Sequence, residues 1–196
     1  MPNTLLRKYS FSQADYIKSK MWWWQARNCK GLCHGLSLVY LSQPADDFIK
    51  FISYVNSSQG FAVIQELQST ERTIIQMGAA GRPLLLNATQ GFMRKSGKRR
   101  ERHFFKEIKS ASTATLFIMS TLLGSANRWY YMAMQGPDWA HATAIVTQTG
   151  AYRFFDPNTG EVAFNSLEAL ARHVNETINT DYKDLDWIAL DCFRPD

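Results

Sequence analysis

The stretch QARNCKGLCHGLSLVYL, residues 25–41, holds two of the three cysteines in this chain of 196 residues. Cys33 follows a Gly-Leu pair, and apolar residues at positions 32, 36, 39 and 40 fit one face of a short helix that begins near it. A thiol at a helix N-terminus faces the positive end of the helix dipole, which favours the nucleophilic thiolate. Cys29 lies one turn earlier, in the approach to the helix, without that geometry. The stretch therefore predicts that Cys33 is the nucleophile.

A nucleophilic thiol needs a base, and the chain has four histidines. On a helix the side chain of His34 points about 100° away from that of Cys33. His103 lies inside a basic run, and His173 lies in a predicted helix with surface-like neighbours. His141 opens the predicted strand HATAIV, whose end can hold an imidazole rigidly beside a cleft. We therefore predict that His141 is the base.

A third group should fix the tautomer and the orientation of that imidazole. Asp156 ends the next predicted strand, YRFFD, directly before the turn PNTG. Two antiparallel strands joined at TQTGAY bring residue 156 back beside residue 141. Each residue alone has an ordinary structural explanation. The order of Cys33, His141 and Asp156 along the chain predicts a papain-like catalytic triad.

The rest of the chain has the pattern of an α+β protein. Helices are predicted at residues 44–55, 60–77 and about 112–124, followed by short strands with Thr-Gly and Pro-Asn-Thr-Gly turns. Ser166 is predicted to cap a late helix, and DWIALDCF is predicted to be the last strand. We expect one papain-like catalytic domain over residues 1–196, with a helical lobe at about 28–124 and a sheet lobe at about 125–196. In this fold the helical N-terminal part packs on an antiparallel sheet.

Three motifs, GLCHGLSLVYL, HATAI and FFDPNTG, resemble those of the YopT/AvrPphB-type papain-like cysteine proteases, a family of bacterial effectors. The resemblance covers roughly residues 28–41 and 139–160. It implies the same triad and makes Asn28 the side-chain donor of the oxyanion hole, together with the backbone N–H of Cys33. The family usually has Trp where this chain has Tyr40, and Ala where it has Gly35. The resemblance also implies secretion by a bacterium, a host protein substrate in the host cytosol, and possible self-cleavage.

The chain is mildly basic, with a net charge of +5, and its strongest charge run is RKSGKRRER at residues 94–102. We expect this run to be a solvated loop that could dock an anionic membrane surface or an acidic segment of a substrate. No nucleic-acid partner is expected, because no aromatic residues alternate with the charges. The N-terminus shows no apolar core of a Sec signal peptide, and the apolar run from Ala114 is too short to span a bilayer.

Other functions remain open at this point. A zinc site of Cys29, Cys33 and His34 lacks a fourth ligand, and no metal or organic cofactor is predicted. A Cys29–Cys33 disulfide is not expected in a reduced protein. A Cys-His-Asp site also serves deamidases and transglutaminase-like acyltransferases, so a toxin that modifies a host side chain is the alternative enzyme. A non-enzymatic module that binds lipid or protein through the basic run is the third class.

Overall fold

The computed structural model of the protein describes residues 5–20, 31–43, 47–78, 81–122, 127–148, 150–182 and 184–196. The helices in these ranges are α1 (Gln13–Ser19), α2 (Cys33–Ser42), α3 (Phe48–Asn56), α4 (Ser58–Gln76), α5 (Gly81–Lys95), α6 (Ala111–Leu122) and α7 (Leu167–Asp181). The strands are β1 (Leu5–Ser10), β2 (Lys98–Glu107), β3 (Arg128–Gln135), β4 (Ala140–Gln148), β5 (Ala151–Asp156), β6 (Gly160–Phe164) and β7 (Trp187–Pro195). None of these helices is long and apolar enough to cross a membrane.

The strands form one antiparallel sheet in the order β1-β6-β5-β4-β3-β7-β2. Because side chains alternate across a strand, neighbouring residues of β5 enter different cores. Phe155 packs in a cluster with residues of α2, α3 and α4. Phe154 packs in a second cluster with residues of α6 and α7. The sheet is therefore covered by helices on both faces.

Several predicted elements are confirmed. Helices α3, α4 and α6 lie within one to four residues of their predicted bounds, and β3 to β7 follow the predicted strands. Ser166 caps α7, where its hydroxyl accepts from the backbone N–H of Ala169 at 3.2 Å, and Glu168 lies in the first turn. This α+β fold of helices and antiparallel sheet agrees with the sequence prediction.

Two strands lie in segments for which no strand was predicted. Strand β1 pairs with β6 at one edge, and β2 pairs with β7 at the other. The basic run at residues 94–102 is consequently not a loop: it ends α5, turns at Gly97 and enters β2. Since β2 belongs to the sheet, the chain does not divide into helical and sheet lobes near residue 125. The charged residues 98–102 have no apolar face that would predict a strand, and backbone pairing with β7 holds them in the sheet.

Helix α2 is the central helix of the domain. The sequence predicted one apolar face, but every residue from His34 to Leu41 is buried. Gly35 allows α4 to pack closely, because a Cβ at this position would lie 2.5 Å from the carbonyl oxygen of Ile64. Tyr40, on the same helix, donates a hydrogen bond of 2.5 Å to the buried carboxylate of Glu161. Both departures from the family pattern thus have a packing role in this chain.

Candidate active site

Cys33 is the first residue of α2, as predicted, and its thiol is free and partly exposed. It lies in a cleft of about 560 Å³ between the helices and the sheet. His141 lines the same cleft, together with apolar residues such as Ile74, Leu85 and Trp187. The lining of the cleft is largely apolar, and Cys33 is the one described cysteine that borders it.

The N-terminus of α2 is capped by two glutamines from other helices. Leu32, the N-cap residue, has no polar side chain to satisfy the first N–H groups. Gln68 Oε1 on α4 accepts from the backbone N–H of His34 at 3.1 Å and of Gly35 at 3.4 Å. Gln13 Oε1 on α1 accepts from the N–H of Leu32 at 3.0 Å. Within the described residues the N–H of Cys33 has no such acceptor, so it can donate into the cleft.

His141 and Asp156 meet as the predicted hairpin requires. β4 and β5 pair in antiparallel register, and His141 Nε2 lies 2.9 Å from Asp156 Oδ1. Burial opposes protonation of His141, but hydrogen bonds to Asp156 and to Cys33, together with their negative charges, outweigh it and raise the pKa to about 9. The imidazole therefore favours the protonated form, and it contacts both predicted partners.

Asp156 is fully buried and is held by three donors. Burial would raise its pKa, but the bonds from His141, from Tyr182 and from the backbone N–H of Asn158 prevail and lower it. The Asn158 N–H lies 2.8 Å from Oδ1, and the Tyr182 hydroxyl lies 2.6 Å from Oδ2. The turn closes at Gly160, whose φ of +110° and contact with the Tyr9 carbonyl exclude a Cβ. The carboxylate is thus ionised and fixed.

Tyr182, at the C-terminal cap of α7, is a site residue that the sequence did not reveal. Its ring stacks on the His141 ring with centroids 4.8 Å apart and an angle of 17° between planes. Its hydroxyl donates to Asp156 and accepts from Asn158 Nδ2 at 3.2 Å. One side chain therefore fixes both the imidazole and the carboxylate.

These contacts join into a ring of hydrogen bonds around the site. Asn158 Oδ1 accepts from Gln13 Nε2 at 2.5 Å, and Gln13 Oε1 accepts from the Leu32 N–H, so Gln13 connects the turn after Asp156 to the start of α2. The members of the ring are Cys33, its neighbour Leu32, Gln13, Asn158, Tyr182, Asp156 and His141. The nucleophile, the imidazole and the carboxylate are consequently held by one network.

His34 takes part in a second network, behind the nucleophile. Its ring is buried, and Nδ1 lies 2.6 Å from the Tyr131 hydroxyl and 3.5 Å from Glu71 Oε1. Burial lowers the pKa of His34 to about 3 and raises that of Glu71 to about 7. With this pKa the His34 imidazole is a weak proton acceptor, and its Nδ1 is already engaged by Tyr131.

The remaining candidate residues lie elsewhere. His103 Nδ1 lies 2.8 Å from Asp191 on the neighbouring strand, and His173 contacts the rings of Phe154 and Phe164. Asn28, the predicted oxyanion donor, and Cys29, the other cysteine of the opening stretch, lie outside the described residues. Their predicted roles therefore stay predictions, as does the exclusion of a zinc site that includes Cys29.

The fold is that of the papain-like cysteine proteases. The solved structure of the Pseudomonas avirulence protein AvrPphB is similar over 85% of this chain and 93% of that one, with a TM-score of 0.66 and 15% identity. At this identity the likeness establishes the fold. Residues 8–184 match the C58 peptidase family, described as Yersinia/Haemophilus virulence surface antigen. The chain belongs to this family of peptidases, which is one of bacterial virulence proteins.

Two further solved structures are more distant. PatoxP, a cysteine protease-like domain of the Photorhabdus asymbiotica toxin PaTox, matches 96% of this chain and 55% of its own with 14% identity and a TM-score of 0.45. The ubiquitin-specific protease encoded by the murine cytomegalovirus tegument protein M48 matches 99% of this chain and 88% of its own with 13% identity and a TM-score of 0.46. Neither likeness bears on the activity. No curated protein sequence matches the chain significantly.

Proposed function

We propose that the protein cleaves peptide bonds with Cys33 as nucleophile, His141 as acid and base, and Asp156 as the group that orients His141. The observation that carries this proposal is the position of His141, which hydrogen-bonds Asp156 at 2.9 Å and lines the same cleft as Cys33. The raised pKa of His141 and the lowered pKa of Asp156 support an ion pair between them.

The reaction begins when the Cys33 thiolate attacks the carbonyl carbon of the scissile bond. Sγ forms a bond to that carbon, and the C–N bond breaks as protonated His141 donates its proton to the leaving amine. Water then attacks the thioester, with His141 now acting as the base, and the acid product leaves with the thiol regenerated. Asp156 keeps the imidazole in the required tautomer and stabilises its positive charge.

The oxyanion of the tetrahedral intermediate needs donors that are fixed before the reaction. The backbone N–H of Cys33 is suited to this role, because Gln68 and Gln13 occupy the neighbouring N–H groups and leave it unoccupied among the described residues. Asn28 supplies the second donor in this proposal, on the ground of the motif alone.

The surrounding network positions these groups. Tyr182 holds the carboxylate and the imidazole, and Gln13 joins their turn to the start of α2. Because a misplacement of about 1 Å can cost two orders of magnitude in rate, the loss of these supports should slow the reaction although they take no part in bond making.

The wider setting of the proposal follows from the family. We propose that the protein is secreted by a bacterium and cleaves a host protein in the host cytosol. The basic segment of residues 94–102 is proposed to take part in recognition of an anionic partner, and its location on the sheet edge is developed below.

The test compares two cysteine variants on a mixture of host-cell proteins analysed by mass spectrometry. Cys33→Ala should abolish cleavage, and Cys29→Ala should leave most of it. New peptide termini are expected with the wild-type chain. A gain of about 1 Da on glutamine side chains without new termini would instead indicate a deamidase. Equal loss of activity in both variants, with unchanged thermal unfolding, would contradict the proposal.

A further inference from the structure

The edge strand β2 has an unusual composition for its position. It contains the sequence KRRERHFFKE, and no described strand pairs with its outer edge. An open edge presents unpaired N–H and C=O groups to which another extended segment can add. The basic side chains of β2 repel a second copy of this strand and favour an acidic one.

Three exposed cations of β2 form a stripe. The stripe consists of Arg99, Arg102 and Lys106, all exposed. Their partners on β7 are Arg194, Cys192 and Ile188, which are an even number of residues apart and therefore lie on one face of that strand. All three therefore point to the same face of the sheet. The bulge between Arg100 and Arg102 produces this alignment, because without it residues 99 and 102 would face opposite sides.

The acidic residue inside the stripe does not cancel its charge. Glu101 forms an ion pair with Arg128, with Oε2 2.6 Å from Nε. The side chain of Arg128, on β3, thus neutralises the carboxylate. The cations of the stripe remain available to an acidic partner.

The same edge leads directly to the cleft. The last residue of β2, Glu107, pairs with Trp187, and Trp187 lines the cleft that contains Cys33 and His141. Phe105 lies on the Trp187 face of the sheet, opposite to the stripe; it is 41% exposed, and its ring lies 5.7 Å from that of Trp187, centroid to centroid. A chain whose scissile bond is bound in the cleft can therefore continue past Trp187 onto β2.

We infer that the outer edge of β2 is a docking site for an extended acidic segment of the protein substrate, which adds to the sheet as an eighth strand. Backbone pairing supplies affinity for any extended chain, and the stripe of Arg99, Arg102 and Lys106 selects acidic side chains on one face. This inference rests on the proposed protease function, since it treats the partner as the substrate. A membrane would use the cations but not the backbone edge.

The test uses a synthetic peptide of about ten residues that alternates glutamate with valine, long enough to cover β2. Its binding is measured on the full chain carrying Cys33→Ala, so that the result does not depend on cleavage. Hydrogen exchange is followed at the β2 amides that face away from β7. We expect these amides to become protected when the peptide binds, because each new backbone hydrogen bond slows exchange.

The charge contribution is tested by reversing the stripe with Arg99→Glu, Arg102→Glu and Lys106→Glu together. This change should weaken peptide binding about tenfold or more. The matched control reverses three exposed cations elsewhere, Lys8, Lys18 and Arg172, with the same change in net charge. It should weaken binding by about twofold at most.

Several outcomes would overturn the inference. These are an absence of peptide binding, binding without protection of the β2 amides, and equal weakening by the control variant. Binding to phosphatidylserine vesicles that depends on the stripe, without any binding of the peptide, would assign the edge to a membrane. Each of these results leaves the proposed protease function standing, because that function is tested by the Cys33→Ala variant.

Discussion

Tyr182→Phe is the sharpest test of how the site is held. The change removes only the hydroxyl, which lies 2.6 Å from Asp156 Oδ2. The ring, which stacks on His141 at 4.8 Å, is retained. The variant therefore separates the hydrogen bond to the carboxylate from the packing of the imidazole.

The expected magnitude follows from the contacts of Asp156. A hydrogen bond to a charged group contributes about 1.5–3 kcal/mol. Two donors remain on the carboxylate, the His141 ring and the Asn158 N–H, so we expect the lower part of this range. If that energy is lost in the transition state, kcat/KM falls about tenfold, since about 1.4 kcal/mol corresponds to a factor of ten. Tyr182→Leu, which also removes the stacking, should lose a further factor of about three to ten.

The pH dependence gives a second readout. Asp156 has a lowered pKa in the folded protein, so its contribution to stability is present above its unfolded pKa and is lost as the pH falls through the folded pKa. Removing the Tyr182 donor raises that folded pKa. The acid limb of both kcat/KM and stability should then move to higher pH than in the wild-type chain.

The assay is cleavage of one identified substrate across the pH range, with thermal unfolding measured on the same samples. Tyr9→Phe is the control, because it makes the same chemical change on β1, where the ring stacks on Phe48 and lies away from the cleft. A Tyr182→Phe variant with unchanged kcat/KM and an unchanged acid limb would refute the positioning role. So would a loss of the same size in Tyr9→Phe.

Two other variants test the His141–Asp156 ion pair and the close packing of α2 on α4. In the wild-type chain the alkaline limb of activity is expected near the His141 pKa of about 9. Asp156→Asn should move this limb downward by about 1–2 pH units, because the charge that raises that pKa is lost. A limb that stays in place would contradict the ion pair. The His141 contribution to stability should be full below its unfolded pKa and gone once the pH rises past about 9. Gly35→Ala should lower the free energy of unfolding by about 1–3 kcal/mol, because its Cβ meets the Ile64 carbonyl. Gly91→Ala, on an open helix surface, should be neutral or stabilising. Calorimetry that ranks the two variants the other way would exclude the packing explanation.

The parts of the fold that the sequence predicted are those with local signals. Turns such as PNTG and a cap such as Ser166 act within a few residues, and β4 and β5 follow each other directly. The pairing of His141 with Asp156 could therefore be inferred from a hairpin. Strand β2 gave no such signal, because an edge strand rich in arginine lacks the alternation of apolar residues.

The residues that position the site, Tyr182 and Gln13, could not be predicted for a different reason. Tyr182 and Asp156 are 26 residues apart, and Gln13 and Asn158 are 145 residues apart. Nothing in one sequence indicates that two polar residues at such distances are in contact. The reacting groups have chemical types that identify them, but a glutamine or a tyrosine that positions them has none.

The ring of hydrogen bonds around the site has a consequence for how the enzyme comes into being. Its members range from Gln13 to Tyr182, so no partly folded chain that lacks either end can complete it. Contacts of such long sequence separation form late, because the loops that they close must first lose their conformational freedom. Cleavage activity should consequently appear only in the last phase of refolding. The enzyme is in this sense latent until it is complete.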